Sequence, residues 1–460
     1  MRIIFFHFSL IFTLIISASC QREDNKQTEK PNIVLLFVDD WGWNDVGYRN
    51  PLFDTPNINQ LKSDGMDFSR AYIATPTCSP SRGSLLTGKE PVRFQMVRHI
   101  PDGGEKVMRG ADLEYHMHIK DPAQLPSRNW LPLEEITYAE RLKELGYFNQ
   151  FIGKWHLGKE EFYPTQQGFD ALYGTTDFGH PKNYYPPYFK EPNPLSNVEE
   201  DEYLTDELTN ATVDFIKNYD ESKPFMLTYW YYSVHGPFIG RKDKVQYYKE
   251  KGLEGKYAQY AAMVSCVDES VGKIRQALTE KGIAENTIIM LISDQGGPFD
   301  NAPLRGGKMG GYTLCEGGAR VPFIVYYPGI TQAGSESSTP VQSLDIYPTL
   351  IEIASGKTCE DQWIQGKSLL PLLKNEAFEE RQLYFFRSYE DQYCAVMEGD
   401  WKLIKYHSGL YELYHLKEDI GESNNLYESE SEKAKYLTES LNRWEKEVMN
   451  QANVRTIQGL

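Results

Sequence analysis

Positive charge is what this sequence has least of. Its 460 residues carry 65 Asp and Glu against 48 Lys and Arg, a net charge of −17. That balance excludes nucleic acid as the main ligand, because phosphate backbones need a basic surface. Any anionic ligand would have to be held by a local group of cations working against the global field. Cysteine is also scarce, and its spacing excludes the common metal modules. Cys20, Cys78, Cys266, Cys315, Cys359 and Cys394 form no CxxC pair and no zinc-finger pattern. In an oxidising compartment they leave room for one or two disulfides without defining a pairing. There is no internal repeat and no low-complexity block, which removes the repeat architectures.

Long hydrophobic runs are missing too. The apolar stretch Ile3–Ile16 has 14 residues, too short to span a bilayer but right for the core of a signal peptide. It follows Arg2 and runs into Ser17-Ala18-Ser19-Cys20. Small residues before a cysteine resemble a bacterial lipobox, with Cys20 the lipidated residue; the other reading is ordinary signal cleavage with Cys20 incidental. Residues 1–20 are thus expected to direct export, and 21–31, polar and charged, to form a tether. The expected location is the periplasm or the outer membrane of a Gram-negative bacterium, with membrane contact only through a lipid anchor.

What is present is a core. Hydrophobic residues make up 40% and aromatics 13% of the chain, ample for a large domain. From Pro31 onward, short apolar runs alternate with amphipathic stretches, the pattern of βαβ units and a mainly parallel sheet. Ile33–Val38, Phe148–Ile152, Phe225–Tyr229, Thr287–Ile292 and Val321–Tyr327 read as strands. Leu131–Leu145, Glu202–Tyr219 and Tyr257–Lys281 read as helices. Past residues 375–382 the texture changes to aromatic, alternating segments ("LYFFRSY", "YCAVMEGDWKLIKY", "LYELYHL") followed by a helix near Ser431–Met449. The expected division is a catalytic α/β domain over 32–378 and a small subdomain, an antiparallel sheet plus helix, over 379–460.

Chemistry concentrates where strands end. Asp39-Asp40 and Asp294-Gln295 both follow apolar strands, and ligands of open α/β sheets bind outside the carboxyl ends of the strands. Three carboxylates and an amide oxygen suit calcium or magnesium and suit zinc poorly. Each pair alone would equally serve as a cap or turn former. Lys154 and His156 follow a third strand and His235 a fourth, where single histidines are as readily satisfied polar residues. The glycine-rich stretch Pro303–Pro322 holds Arg305, Lys308 and Arg320. Glycine lets backbone approach a ligand and lysine offers a mobile point charge; a turn-rich connector with solvated charges reads the same way.

The order Asp-Asp, "CSPSRGSLLTG" at Cys78–Gly88, Gly-Lys-Trp-His, Ser-x-His-x-Pro, Ser-Asp-Gln-Gly and Arg-Gly-x-Lys resembles a type I sulfatase of the alkaline-phosphatase superfamily. The resemblance runs from about Asn32 to Leu426 and includes "GDWKLI" near the C-terminus. It implies that a dedicated maturation enzyme converts Cys78 to formylglycine, an aldehyde whose hydrate attacks sulfur with one hydroxyl and expels sulfate with the other. It implies that Asp39, Asp40, Asp294, Gln295 and the modified Cys78 hold calcium, with Gln295 standing where asparagine is usual. Arg82 would fix the formylglycine, Lys154 and His156 would contact it, and His156 would take its proton during elimination. His235 and Lys308 would bind the ester sulfate, one of them protonating the leaving alkoxide.

Export and this family together imply a sulfated carbohydrate substrate, such as an algal polysaccharide or a glycosaminoglycan. The segments His99–Arg128 and Thr175–Pro194 are the candidates for sugar selection, with Arg98, His116, His118, His180 and Lys182 as readers and aromatics as stacking faces. Two other classes stay in view. A phosphoesterase or phosphonate hydrolase would use the same fold, and a non-catalytic glycan-binding lipoprotein would keep the fold without the chemistry.

Overall fold

The computed structural model describes residues 30–101, 115–116, 125–191 and 193–453. Cys20, His118 and most of the leader and tether lie outside the described residues. β1 (Asn32–Val38) is the centre of an eight-stranded sheet. The others are β2 (Met66–Phe68), β3 (Phe148–Gly153), β4 (Ala171–Tyr173), β5 (Phe225–Trp230), β6 (Thr287–Ser293), β7 (Phe323–Tyr326) and β8 (Ser335–Ser337). Their order is β8-β2-β7-β6-β1-β5-β3-β4. Five of the seven pairings are parallel, and β7 runs antiparallel to both of its neighbours. The sheet is therefore mixed and mainly parallel, as expected.

Both faces of β1 are buried, which explains its uninterrupted apolar run. Val34, Leu36 and Val38 face one core; α1 (Pro56–Asp64), α4 (Leu204–Asn218) and α5 (Gly255–Lys281) cover that side. Ile33, Leu35 and Phe37 face the other, covered by α2 (Cys78–Thr87), α3 (Tyr138–Glu144) and α6 (Ile346–Ser355). Each such aliphatic side chain contributes about 1.5–3 kcal/mol on burial.

Three sequence expectations need correction. The helix read over Leu131–Leu145 starts only at Tyr138, because Thr137 accepts the Glu140 amide while the Glu140 carboxylate accepts the Thr137 amide. The strand read over Val321–Tyr327 is split at Pro322, which has no N–H to continue a ladder. Arg320-Val321 pairs with Ala71-Tyr72 in a separate three-stranded sheet, and only Phe323–Tyr326 joins the main one. The five described cysteines are all free thiols, so no disulfide forms among the described residues.

The C-terminal region is a four-stranded antiparallel sheet of β9 (Leu383–Tyr389), β10 (Gln392–Glu398), β11 (Trp401–Tyr406) and β12 (Tyr411–His415). One face packs on Tyr72, Leu314, Cys315 and Ala319 of the larger unit. The other is covered by Leu437, Leu441, Trp444 and Val448 of α7 (Ser431–Asn453). A buried charge network clamps the junction. Lys402 Nζ lies 2.8 Å from Glu316 Oε1 and 3.1 Å from Glu422 Oε1, all three side chains being buried. Burial drives the Lys402 ammonium toward its neutral form, but Glu316 and Glu422 override it and hold its pKa above the usual range. Lys402→Met should leave the buried Glu422 without a cation and Glu316 with Arg320 alone, and cost about 3–5 kcal/mol, the usual penalty for breaking a buried pair. Urea unfolding of the variant checks this, and an unchanged midpoint would contradict it.

Candidate active site

The parallel register brings four strand ends into one crevice. Val38 pairs with Ser293, so Asp39 and Asp294 leave the sheet side by side. Trp230 pairs with Phe37 on one side and Gly153 on the other, which sets the His235 loop and the Lys154–His156 turn beside them. Cys78 arrives from the side, at the first position of α2, all ten of whose residues are buried. A helix N-terminus carries partial positive charge and unpaired N–H groups, so it favours an anion at Cys78.

Arg82, one turn further along α2, is fully buried. Its Nη2 lies 3.2 Å from Asp294 Oδ2 and 3.6 Å from Asp39 Oδ2, and its Nη1 donates to the Lys154 carbonyl at 3.1 Å. Its guanidinium stacks over Phe37 and Trp230, at 5.3 and 5.1 Å from the ring centroids. Arg82 is thus a rigid strut joining the Cys78 helix to two carboxylates.

Asp40 adopts a left-handed conformation, φ 62°, which costs a non-glycine residue about 1–2 kcal/mol. The turn lets consecutive carboxylates meet the same cluster. It is held by Asp40 N donating to Asp294 Oδ1 at 2.9 Å and by the Tyr260 hydroxyl donating to the Asp40 carbonyl at 3.2 Å. The same hydroxyl oxygen lies 2.5 Å from Asp45 Oδ2, so its single proton is shared between the two acceptors. The sequence did not single out Tyr260 or Asp45; both sit in apolar or turn contexts, and only the fold brings them to the crevice.

Lys154 pairs with Asp39 Oδ2, and Lys308 pairs with Asp40 Oδ2. Three carboxylates therefore face three cations, Arg82, Lys154 and Lys308. Burial tends to raise Asp39, but Lys154, His235, Arg82 and Lys308 together hold it far below the usual carboxylate range. Burial and the Asp39 charge push Asp294 well above that range, against the pull of Arg82. Burial also pushes the Cys78 thiol up to about 12, which leaves it a poor nucleophile as a thiol.

The histidines differ. His156, also left-handed at φ 56°, has Nε2 2.7 Å from the Ile100 carbonyl. That contact fixes the proton on Nε2 and leaves Nδ1, buried and without a partner among the described residues, as an acceptor. Gly179 packs on the ring; a Cβ there would sit 2.5 Å from Cε1. His235 Nδ1 lies 2.6 Å from the Gly236 carbonyl, and its Nε2 reaches to 3.7 Å from Asp40 Oδ2. His235 and Lys308 are 19% and 18% exposed in their side chains, whereas Lys154, Arg82 and Asp39 are sealed at 0%. The first two form the outer wall of the crevice.

Donor atoms of Asp39, Cys78 and Asp294 lie within 4.8 Å of one another, and so do those of Asp40, Cys78 and His235. Two oxygens on opposite sides of a calcium ion at 2.3–2.6 Å are separated by about 5 Å. Asp39 and Asp294 with Cys78 are thus close enough to share one hard divalent cation, and Asp40 stands in a second group that shares Cys78. Gln295 donates Nε2 to Asp40 Oδ1 at 2.7 Å and to Cys78 Sγ at 3.4 Å, so its amide already points into the cluster. Turning the amide plane over presents its oxygen to the same point.

A cavity of about 540 Å³ opens beside His235, lined by His180, Lys182, Lys190, Phe178 and Phe189. The sequence reading had His180 and Lys182 but missed Lys190. Arg98 and His116 do not line it. Both are buried, His116 with Nδ1 2.6 Å from Asn129 Oδ1, so neither stands at this opening as a direct reader.

The crevice thus holds a thiol at a helix N-terminus, three clustered carboxylates and an outer wall with one ammonium, Lys308, beside His235, whose imidazole burial holds in the neutral form. The sequence profile of the sulfatase family matches residues 31–356, and that of the N-sulphoglucosamine sulphohydrolase C-terminal region matches 312–450. The chain is 32% identical to N-acetylgalactosamine-6-sulfatase of Mus musculus, over 81% of this chain and 72% of that one. It is 30% identical to a sulfatase of Formosa agariphila, over 91% and 88%. The solved structure of Ps i-CgsB in complex with k-i-k-neocarrahexaose superposes with a TM-score of 0.77 at 30% identity, covering 90% of this chain and 93% of that one. The chain belongs to the sulfatase family; it is a sulfuric ester hydrolase. That family implies a formylglycine and a divalent metal, and the residues here fit both.

Asp294→Ala removes the acceptor for Asp40 N and the partner of Arg82, as well as one candidate ligand. Calorimetric titration with calcium should show binding to the parent protein and none to this variant, with kcat/KM lower by several orders of magnitude. Retained stoichiometric binding would refute the ligand assignment.

Proposed function

We propose that the protein is an exported sulfatase that removes sulfate from polysaccharide-derived oligosaccharides, using formylglycine made from Cys78 and a calcium ion. The observation that carries this is Cys78 itself. It lies buried at a helix N-terminus, in the "CSPSR" stretch, among Arg82, Lys154 and Lys308, and burial makes it a poor nucleophile as a thiol, which supports conversion to another group. Export rests on the 1–20 segment, and conversion needs a maturation enzyme acting on the "CSPSR" stretch. A saccharide substrate is supported by the relatives, one an N-acetylgalactosamine-6-sulfatase and one crystallised with a neocarrahexaose.

Asp39, Asp40, Asp294 and Gln295 would hold the cation. The cation and the aldehyde hydrate would supply charge neutralisation at sulfate oxygens and an activated hydroxyl for attack at sulfur. The rest is done by side chains. Lys154 and Arg82 keep Asp39 ionised and fixed. Lys308 and His235, in the outer wall, meet the sulfate as it enters and stand where the bridging oxygen departs. One of them delivers the proton that the leaving alkoxide needs. His156, neutral and open at Nδ1, receives the proton released when sulfate is expelled. With three cations balancing three carboxylates, the added charge of a divalent ion gives the site a net attraction for a sulfate ester despite the −17 of the chain.

Active enzyme should contain Cys78 about 18 Da lighter than cysteine by peptide mass spectrometry. Cys78→Ala should abolish sulfate release, read by ion chromatography from a panel of sulfated oligosaccharides, while the circular dichroism spectrum stays the same. Chelation should remove activity and calcium restore it. Full activity with unmodified Cys78, or phosphate release from aryl phosphates exceeding sulfate release, would sink the reading.

A further inference from the structure

The cavity beside His235 has an unusual wall. In a chain with 17 more acids than bases, its lining has two lysines and two histidines and no carboxylate. The lysines of the crevice are paired, Lys154 with Asp39 and Lys308 with Asp40. Among the described residues, no carboxylate lies within ion-pair distance of the exposed Lys182 or Lys190; surface lysines such as Lys249 and Lys374 are likewise unpaired, and what sets these two apart is that they line one cavity together.

The two lysines are set by the backbone. Lys182 N donates to the Tyr188 carbonyl at 2.7 Å, closing the 182–188 loop so that Lys182 and Lys190 flank its neck. Tyr184 pins that loop to the catalytic crevice: its hydroxyl bonds the Tyr232 and His235 carbonyls at 2.7 and 2.8 Å. His180 stacks on His235, with centroids 5.4 Å apart and planes 5° from parallel. The path from the sulfate wall to the lysines is therefore continuous. Phe178 and Phe189, stacked at 6.5 Å, give the cavity an apolar wall for a sugar face.

We infer that this cavity is a second anion subsite, so that the preferred substrate carries, besides the scissile sulfate, a further sulfate or carboxylate held by Lys182 and Lys190. The inference rests on the sulfatase reading and narrows its substrate class to multiply charged saccharides. Neutral hydroxyls would be served by amides and carboxylates, which accept as well as donate; an ammonium only donates and is compensated best by an anion. Because both lysines are partly solvated, the preference should weaken as salt is raised.

The test compares three sulfated disaccharides of one backbone: one with a single sulfate, one with a second sulfate, one with a uronic carboxylate. Calorimetry on Cys78→Ser gives binding, and sulfate release by the formylglycine enzyme gives kcat/KM. At least one dianionic compound should bind at least tenfold tighter than the monosulfate, equivalent to about 1.4 kcal/mol. Which one does so distinguishes a sulfate from a carboxylate partner. In Lys182→Gln/Lys190→Gln the ratio should fall to within about threefold, and Lys182→Arg/Lys190→Arg should restore it. A ratio near one in the parent, or an unchanged ratio in the glutamine variant, overturns the subsite. Absence of sulfate release from every compound instead overturns the sulfatase reading, and the binding ratio still decides the subsite.

Discussion

Everything at this site depends on holding three carboxylates together in a dry crevice. Asp39, Asp40 and Asp294 are all buried, and like charges this close cannot all ionise without compensation. The fold supplies it in a fixed arrangement. Arg82 bridges Asp294 and Asp39, Lys154 caps Asp39, and Lys308 caps Asp40. Each cation comes from a different piece of chain, so each loop must be placed correctly for the others to be stable. A hard cation entering the cluster would take over part of this work, freeing the lysines to face substrate oxygens.

Placement is therefore the main task of the surrounding structure, and it extends far from the crevice. Lys308 sits on the glycine-rich stretch, where the Lys308 amide donates to the Gly297 carbonyl at 3.1 Å. The same stretch continues to Glu316, which is gripped by Lys402 from the C-terminal sheet, by Arg320, and by the Tyr72 hydroxyl at 2.9 Å. Arg305 adds an ion pair to Glu412 at 3.0 Å. The C-terminal sheet thus braces the loop that carries the outer lysine. A buried ion pair contributes little net stability when compared with apolar packing, so its value here lies in fixing register.

Much of this was legible in the sequence because strand ends are easy to read. The apolar runs Ile33–Val38 and Thr287–Ile292 end in acids, and parallel pairing does the rest. Cys78 and Arg82 were legible through the C-x-P-S-R motif and the family it resembles; that they stand one helical turn apart came only with the fold. Lys190, Tyr260 and Asp45 were not, since each acquires its role only through contacts distant in the chain: Tyr260 lies 220 residues from the Asp40 carbonyl it binds. The broken strand at Pro322 was misread for a related reason. Apolar periodicity ran through the proline, and hydrogen bonding, which periodicity does not report, ended the strand there.

The two layers of the site divide the chemistry. The inner layer of Arg82, Lys154 and the carboxylates is sealed from solvent and contacts nothing that differs between one sulfate ester and another. Its energetics therefore enter every substrate equally and cannot discriminate between sugars. In the proposed mechanism the outer layer, His235 and Lys308, would still meet groups common to all sulfate esters. On that reading discrimination would come from further out, where Lys182, Lys190, Phe178 and Phe189 surround the cavity. The 182–188 loop is tied to the crevice by one tyrosine hydroxyl on the His235 carbonyl. Such a layout lets sequence change at the cavity mouth without disturbing the buried charge balance, so specificity is separable from catalysis by construction.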